Sequence, residues 1–189
     1  MTPQSEVKVW DPLVRLFHWS LVAAFVIAYA ASEDEWIDVH TIAGYVVFGL
    51  VVFRILWGII GPRHARFGDF VRSPVTVVCY LGDLLRLRAP RYLGHNPAGG
   101  MMVVMFLIML LVTTLTGMAY YGAEDSGGPL AGLIRLSPYY AHWLEEIHEF
   151  AANSTVALVA LHVCGVVVDS FLHHDNLVKA MVTGYKRKA

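Results

Sequence analysis

The sequence is poor in charged residues and in cysteine. Asp, Glu, Lys and Arg make up only 15% of its 189 residues, against about 25% in average soluble domains. The two cysteines, Cys79 and Cys164, share no motif and no metal-ligand spacing. The sequence therefore offers neither a disulfide framework nor a cysteine metal site. An ordinary soluble domain is disfavoured, and we expect no nucleic-acid partner.

The N-terminus also lacks the features of a cleavable signal peptide. Residues 1–15 contain Glu6, Lys8, Asp11 and Arg15, and no short apolar region there ends in a small-residue cleavage site. The first apolar run of the chain is therefore expected to remain in place as a membrane helix.

What the sequence has instead is a high content of hydrophobic residues, 57%, concentrated in four long runs. A helix needs about 20 mostly apolar residues to cross the hydrocarbon core of a bilayer. The predicted spans cover about residues 15–32, 40–60, 98–121 and 146–172. We therefore predict an all-α membrane protein, a four-transmembrane-helix bundle that forms a single domain over residues 1–189.

The charged residues are segregated along the chain. The termini and the segment 54–97 carry 13 of the 14 basic residues, whereas loops 32–39 and 122–149 carry nine acidic residues and one base, Arg135. Basic segments stay in the cytoplasm by the positive-inside rule. We predict a multi-pass protein of the bacterial inner membrane with both termini cytoplasmic and the acidic loops facing the periplasm.

Residues 74–88 are too short and too charged to span the membrane. Their apolar and arginine side chains predict an amphipathic helix at the cytoplasmic interface, in contact with anionic membrane lipid.

Four of the nine histidines lie in or beside the predicted spans. His18 is at the cytoplasmic end of the first span and His40 at the outer end of the second. His148 is at the outer start of the fourth span, and His162 lies deeper in it. Ionisable residues are costly inside a membrane, so each is a candidate functional residue.

His148 and His162 are 14 residues apart in one predicted helix. At about 100° and 1.5 Å per residue, they point within about 40° of each other and lie about 21 Å apart. Ligands of one zinc ion lie within about 2 Å of it, so these two histidines cannot share a zinc site.

Depth in the membrane groups the histidines into the pairs His40/His148 and His18/His162. Two histidines can bind the two faces of one haem iron, which suits electron transfer rather than oxygen binding. Because no Cys-x-x-Cys-His motif is present, two haem b groups would be bound without covalent links. Four unrelated packed histidines are the alternative, which the pairing by depth disfavours.

Other residues allow two interpretations each. Small residues in the spans leave room either for a flat macrocycle or for close helix packing; these are Gly44, Gly49, Gly117 and Gly165. Polar residues near the cytoplasmic ends of the spans either have structural roles or bind a quinone headgroup. A quinone headgroup needs hydrogen-bond donors and, on reduction, protons. The candidates for this quinone site are His95, Asn96, His174 and Asn176.

At these residues the chain resembles the bacterial cytochrome b561 family, in particular the b-type cytochrome subunits of nickel-iron hydrogenases. The resemblance covers about residues 7–187 and rests on the order and spacing of several short motifs. These are WDPLVRLFHW (10–19), DVHTIAGY (38–45) with Arg54 downstream, RFGDFVRSP (66–74), GHNPAGG (94–100), IHE (147–149), LHVCGV (161–166) and NLVKAMVTGYKR (176–187).

The resemblance implies two non-covalent b haems with axial ligands at His18, His40, His148 and His162. It also implies electron transfer between a periplasmic redox partner, such as a hydrogenase or a c-type cytochrome, and the membrane quinone pool. We expect an electron-transfer subunit rather than an independent oxidoreductase.

Two other functions compete with that hypothesis. A stand-alone quinone-reducing superoxide oxidase would need a cationic outer surface to attract its anion, and the outer loops are acidic. A transporter or structural protein without haem would be colourless.

Overall fold

The computed structural model describes residues 6–124 and 128–188, which are mostly helical. The elements in chain order are β1 (Glu6–Lys8), α1 (Pro12–Ala30), α2 (Ile37–Ile60), α3 (Phe67–Phe70), α4 (Pro74–Leu85), α5 (Pro97–Glu124), α6 (Pro138–His173), α7 (Leu177–Thr183) and β2 (Tyr185–Arg187). Single 3-10 turns precede α2 and α3. Helices α1, α2, α5 and α6 are long and apolar enough to cross a membrane.

The four long helices overlap the four predicted spans, but their ends differ. The largest difference is in α6, which begins at Pro138 rather than near residue 146. Proline is well suited to the first position of a helix, and the Ser137 carbonyl accepts the N–H groups of Tyr140 and Ala141 at 2.9 and 3.1 Å. Hydropathy finds the apolar centre of a helix and misses polar end turns such as this one.

One short antiparallel strand pair accompanies the helices of this mostly helical chain. β1 pairs with β2, and the N–H groups of Val9 and Trp10 both donate to the Gly184 carbonyl. Gly184 has φ of 90°, a left-handed conformation that glycine adopts without steric cost. Strands of three residues are too short to produce a detectable alternation in the sequence.

The chain divides into two compact units. Unit 1 comprises residues 1–19, 53–105 and 159–189. Its hydrophobic core is formed by Val9, Trp10, Val14, Ala65 and Ala180. Unit 1 also contains 13 of the 14 basic residues of the chain.

One buried carboxylate pairs with two arginines in unit 1. Buried Asp175 forms ion pairs with Arg91 at 2.7 Å and Arg187 at 3.1 Å. Burial alone would raise the pKa of Asp175, but hydrogen bonds from both arginines lower the pKa below its usual value. The ionised form of Asp175 is therefore the one that the fold stabilises.

Unit 2 comprises residues 20–52 and 106–158. It contains one basic residue, Arg135, and all nine acids of the predicted outer loops; of these, Asp125 lies outside the described residues. Within the unit, the Tyr29 hydroxyl donates to Asn153 Oδ1 at 2.9 Å. The hydroxyl of buried Thr155 donates to the Ala151 carbonyl at 2.9 Å.

Residues 74–85 form the predicted short helix, α4, which ends before the predicted residue 88. Ser73 caps it by accepting the Thr76 N–H, and Pro74 occupies the first turn. Val77 and Tyr80 are buried, while Val75, Val78 and Leu85 on other faces are exposed. The helix thus has the apolar exposure that an interfacial location requires, and that location stays a prediction.

Candidate functional site

In unit 2, the structure brings His40 and His148 together. Their ring centroids are 5.9 Å apart, with an angle of 66° between the ring planes. His40 Nδ1 is 2.8 Å from the Ala28 carbonyl oxygen, and His148 Nδ1 is 2.8 Å from the Thr113 carbonyl oxygen. Because a carbonyl oxygen only accepts, each Nδ1 carries the proton and each Nε2 carries the lone pair. This tautomer, with its orienting hydrogen bond, is the one that metal-binding histidines use.

Gly117 of α5 lies directly against the His148 ring. A Cβ atom at residue 117 would be 2.8 Å from both Cε1 and Nδ1 of His148. Any larger residue would displace the ring, so a glycine is required here for steric reasons. The sequence had left open whether this glycine makes room for a macrocycle or for a neighbouring helix; in the structure it makes room for the histidine.

Unit 1 holds the second pair, His18 and His162. Their ring centroids are 6.5 Å apart and their planes make an angle of 51°. The His18 ring also packs edge-on against Trp19, with centroids 4.9 Å apart. His18 Nδ1 is buried and has no hydrogen-bond partner among the described residues.

The two pairs are those that depth in the membrane predicted. A metal–imidazole bond is about 2 Å long and a ring nitrogen lies about 1 Å from the ring centre, so two rings on opposite sides of one metal ion have centres about 6 Å apart. Both measured separations, 5.9 and 6.5 Å, agree with this value. In residues 6–124 and 128–188, no group of three or more His, Cys, Asp or Glu could hold a metal ion.

The other three glycines have open space beside them. A Cβ added at Gly44, Gly49 or Gly165 would meet no atom of the described residues within 4 Å, apart from the glycine's chain neighbours and the adjacent backbone of its own helix. No neighbouring helix among the described residues therefore packs closely against these three glycines, and their role beside a macrocycle stays a prediction.

His95, a predicted quinone ligand, is half-buried in unit 1, and its Nδ1 is buried. Its ring contacts Phe70 at a centroid distance of 4.5 Å and Trp10 at 4.7 Å. Burial, with the nearby charges of Arg54 and Lys186, lowers the pKa of His95 to about 3. His95 is therefore neutral at physiological pH.

The four predicted quinone residues are not joined to one another as a single hydrogen-bonded group in the described part of the chain. Among the described residues, no hydrogen bond joins His95 or Asn96 to His174 or Asn176. Asn176 caps α7 by accepting the Lys179 N–H at 2.7 Å, and His174 is an exposed residue with positive φ after α6.

Asn96 instead belongs to a network around Asp169 that the sequence analysis missed. Asp169 Oδ1 accepts hydrogen bonds from Asn96 Nδ2 and from the Tyr80 hydroxyl, both at 3.2 Å. His173 Nε2 is 3.6 Å from the same oxygen. Burial and the negative charge of Asp169 raise the pKa of Tyr80 above its usual value. Asp169 is the one acid between residues 150 and 173, and a lone carboxylate in an apolar run was the signal available.

Arg54 is a second functional candidate with little signal in the sequence beyond its place in a family motif. Arg54 is only 2% exposed, and its guanidinium lies over the rings of Phe67 and Phe70, 5.2 and 5.7 Å from their centroids. Its Nη1 is buried and has no hydrogen-bond partner in the described part of the chain.

The chain belongs to the prokaryotic cytochrome b561 family, whose model matches residues 9–184. Three similar proteins are named as probable Ni/Fe-hydrogenase B-type cytochrome subunits. The protein from Azotobacter vinelandii is 24% identical, with 97% of this chain and 89% of that protein covered. The protein from Rhizobium leguminosarum bv. viciae is 22% identical, with 96% of this chain and 89% of that protein covered. The protein from Escherichia coli K12, which is named for hydrogenase 1, is 21% identical, with 94% of this chain and 89% of that protein covered. No solved structure matches the chain.

The family membership confirms the resemblance found in the sequence. It identifies the chain as a b-type cytochrome with transmembrane helices and a role in electron transport. Haem b is the cofactor that a b-type cytochrome carries.

Proposed function

We propose that this protein is a di-haem membrane cytochrome in which His40 and His148 bind one haem b and His18 and His162 bind a second. The observation that carries the proposal is the spacing of the two pairs, 5.9 and 6.5 Å between ring centroids. Each spacing matches the roughly 6 Å expected for two imidazoles on one iron. Among the described residues neither pair belongs to a group of three or more His, Cys, Asp or Glu that could hold a metal ion, which favours a planar macrocycle over a tetrahedral metal ion.

Haem, when bound, supplies one-electron redox chemistry. The histidines determine how that chemistry would be used: with two histidines holding each haem, electron transfer would be favoured over oxygen binding. The carbonyl oxygens of Ala28 and Thr113 orient the imidazoles of His40 and His148 and increase their basicity as ligands. An arrangement oriented in this way undergoes little change when an electron arrives or leaves.

The second part of the proposal concerns the electron donor and acceptor. Electrons would pass between a periplasmic redox partner and the membrane quinone pool. The relatives' names favour a hydrogenase as the partner. Exposed carboxylates of unit 2 would also suit a basic partner such as a c-type cytochrome; they are Glu33, Asp34, Glu35, Asp38, Glu146 and Glu149.

The orientation is proposed on charge. The basic termini and the segment 54–97 would face the cytoplasm of the bacterium, in contact with anionic lipid, and the acidic loops the periplasm. A superoxide oxidase is the second candidate, but it requires an electropositive outer surface. The single base, Arg135, against nine acids in those loops argues against that activity.

We propose the network of Asn96, Asp169 and His173 as the place where a quinone headgroup exchanges protons. A quinone carbonyl needs a hydrogen-bond donor, and its reduction consumes protons. Asn96 supplies an N–H, while the contact of His173 with Asp169 provides two groups that can carry a proton. His95, His174 and Asn176 stay as predicted residues of the quinone site.

Quinol-driven reduction of the purified protein tests this function. A short-chain quinol should reduce the b-type α band of the wild type under anaerobic conditions. Asp169→Asn should slow that reduction about 100- to 10,000-fold, the usual contribution of a positioned proton carrier, without changing the extent of reduction by dithionite. Asp83→Asn, a matched change in α4 of unit 1, should have the wild-type rate. Equal rates in all three proteins would refute the proposed quinone site.

The partner surface is tested by ionic strength. Reduction by a basic c-type cytochrome should slow steeply as salt is raised, because screening removes the attraction of the carboxylates. Replacement of Glu33, Asp34 and Glu35 by Gln and Asn should reduce both the rate and its salt dependence. A rate independent of salt would rule out docking at this acidic surface.

A further inference from the structure

Arg54 poses a physical problem that the histidine pairs do not explain. A guanidinium is charged at every physiological pH, and a buried charge is strongly destabilising unless an opposite charge or several hydrogen bonds compensate it. Arg54 is in α2, one of the four candidate membrane helices, and only 2% of its surface is exposed.

The protein compensates this charge only in part. The rings of Phe67 and Phe70 face the guanidinium and contribute cation–π attraction. Among the described residues no carboxylate lies within 4.0 Å of it, and Nη1 is buried without a partner. Asp11 interacts with Arg54 electrostatically, but Asp11 Oδ1 is engaged by the N–H groups of Leu13 and Val14 at 3.0 and 3.2 Å. Nη1 is therefore a buried donor with no acceptor among the described residues.

The neighbours of Arg54 connect it to the histidine pair of unit 1. Phe70, under the guanidinium, contacts the His95 ring at 4.5 Å. His95 in turn lies within electrostatic range of both Arg54 and His162. Arg54, Phe70 and His95 thus lie together in unit 1, within electrostatic range of His162.

A haem bound by His18 and His162 would bring anions of suitable chemistry. Haem b carries two propionate side chains, and carboxylates match the planar donor array of a guanidinium. We propose that Arg54 Nη1 donates a hydrogen bond to a propionate of this haem and so helps to retain the haem in its site. This inference rests on the proposed ligation by His18 and His162.

The test measures haem retention and haem potential in the full-length purified protein. Arg54→Gln should transfer one of its two haems to excess apomyoglobin about 10- to 100-fold faster than the wild type, because a hydrogen bond to a charged group is lost. The midpoint potential of the same haem should fall, because removing a cation favours the ferric state. Arg54→Lys should be intermediate. Arg66→Gln, which removes an exposed arginine of unit 1, should match the wild type.

A neutral haem distinguishes an anion contact from packing. Wild-type protein reconstituted with haem dimethyl ester should lose one of its two groups about as fast as Arg54→Gln loses haem, and Arg54→Gln should not accelerate that loss further. If Arg54→Gln accelerates loss of the ester as much as loss of haem, or if ester and haem are retained equally by the wild type, the propionate contact is refuted. The ester measurement on the wild type decides the question even where Arg54→Gln does not accumulate.

The ligation and the propionate contact can fail separately. If His162→Ala retains both haems, the ligand assignment is wrong. If His162→Ala loses one haem but the ester is retained like haem, only the role of Arg54 is wrong.

Discussion

The contact between Gly117 and His148 makes a specific prediction about the haem proposed for unit 2. A Cβ at residue 117 would lie 2.8 Å from Cε1 and Nδ1 of His148, whereas ordinary contacts begin at 3.4 Å. In Gly117→Ala the ring must therefore move by about 0.6 Å. That movement is opposed by the 2.8 Å hydrogen bond between His148 Nδ1 and the Thr113 carbonyl, so either this bond lengthens or the ring leaves its position opposite His40.

The size of the effect can be estimated from these contacts. A neutral hydrogen bond contributes about 0.5–1.5 kcal/mol, and disturbing a residue that orients a metal ligand typically costs about 10- to 100-fold in affinity for the metal. Alanine is favoured over glycine in a helix by about 1 kcal/mol, so helix α5 itself should not be weakened. We expect about 10- to 100-fold weaker binding of the haem at His40 and His148.

Haem loss to apomyoglobin, followed with reduced-minus-oxidised spectra, measures this prediction. Gly117→Ala should lose one haem quickly and keep the second at the wild-type rate. Gly82→Ala is the matched control, since a Cβ there meets no atom of the described residues within 4 Å. Equal haem retention in Gly117→Ala and Gly82→Ala, or faster loss of both haems in Gly117→Ala, would refute the reasoning.

Two further predictions concern the fold of unit 1. Asp175→Asn should lower the unfolding free energy by about 2–3 kcal/mol, because charge-assisted hydrogen bonds to Arg91 and Arg187 are lost. Because the folded-state pKa of Asp175 is lowered, the stability that Asp175 contributes is present above about pH 4 and is lost as the pH falls through the folded-state pKa. Between pH 7 and 3, the melting temperature of the wild type should therefore fall more steeply than that of Asp175→Asn. Gly184→Ala should lower the melting temperature more than Gly132→Ala. Both glycines have positive φ, but of the two only Gly184 is so placed that an added Cβ would meet a backbone atom, the Trp10 carbonyl oxygen at 2.7 Å. Equal melting temperatures of the two variants would contradict this.

The sequence predicted those parts of the structure that depend on spacing along one helix. The 14-residue interval between His148 and His162 places two histidines on one side of α6, and each meets the partner that membrane depth suggested. Hydropathy located the four long helices because each has a long apolar centre. Polar first turns, such as the one at Pro138, carry no such signal.

Contacts between segments distant in sequence could not be predicted in this way. Asn96 and Asp169 are 73 residues apart, yet they share a hydrogen bond. The sequence grouped Asn96 with Asn176 because both are polar residues near the cytoplasmic ends of predicted spans. His95 was expected to reach a quinone; in the structure the rings of Trp10 and Phe70, from two other segments, pack against it. Burial of this kind depends on tertiary packing, which a local pattern does not encode.

The pairing of the histidines is the central claim, and haem content in double variants tests it most directly. Full-length proteins carrying His40→Ala with His148→Ala, or His18→Ala with His162→Ala, should each retain about one haem per chain, the same as the corresponding single variants. The cross-pair variant with His40→Ala and His162→Ala should retain none. If a cross-pair variant keeps one haem, or a within-pair variant loses both, the assignment of ligand pairs is contradicted.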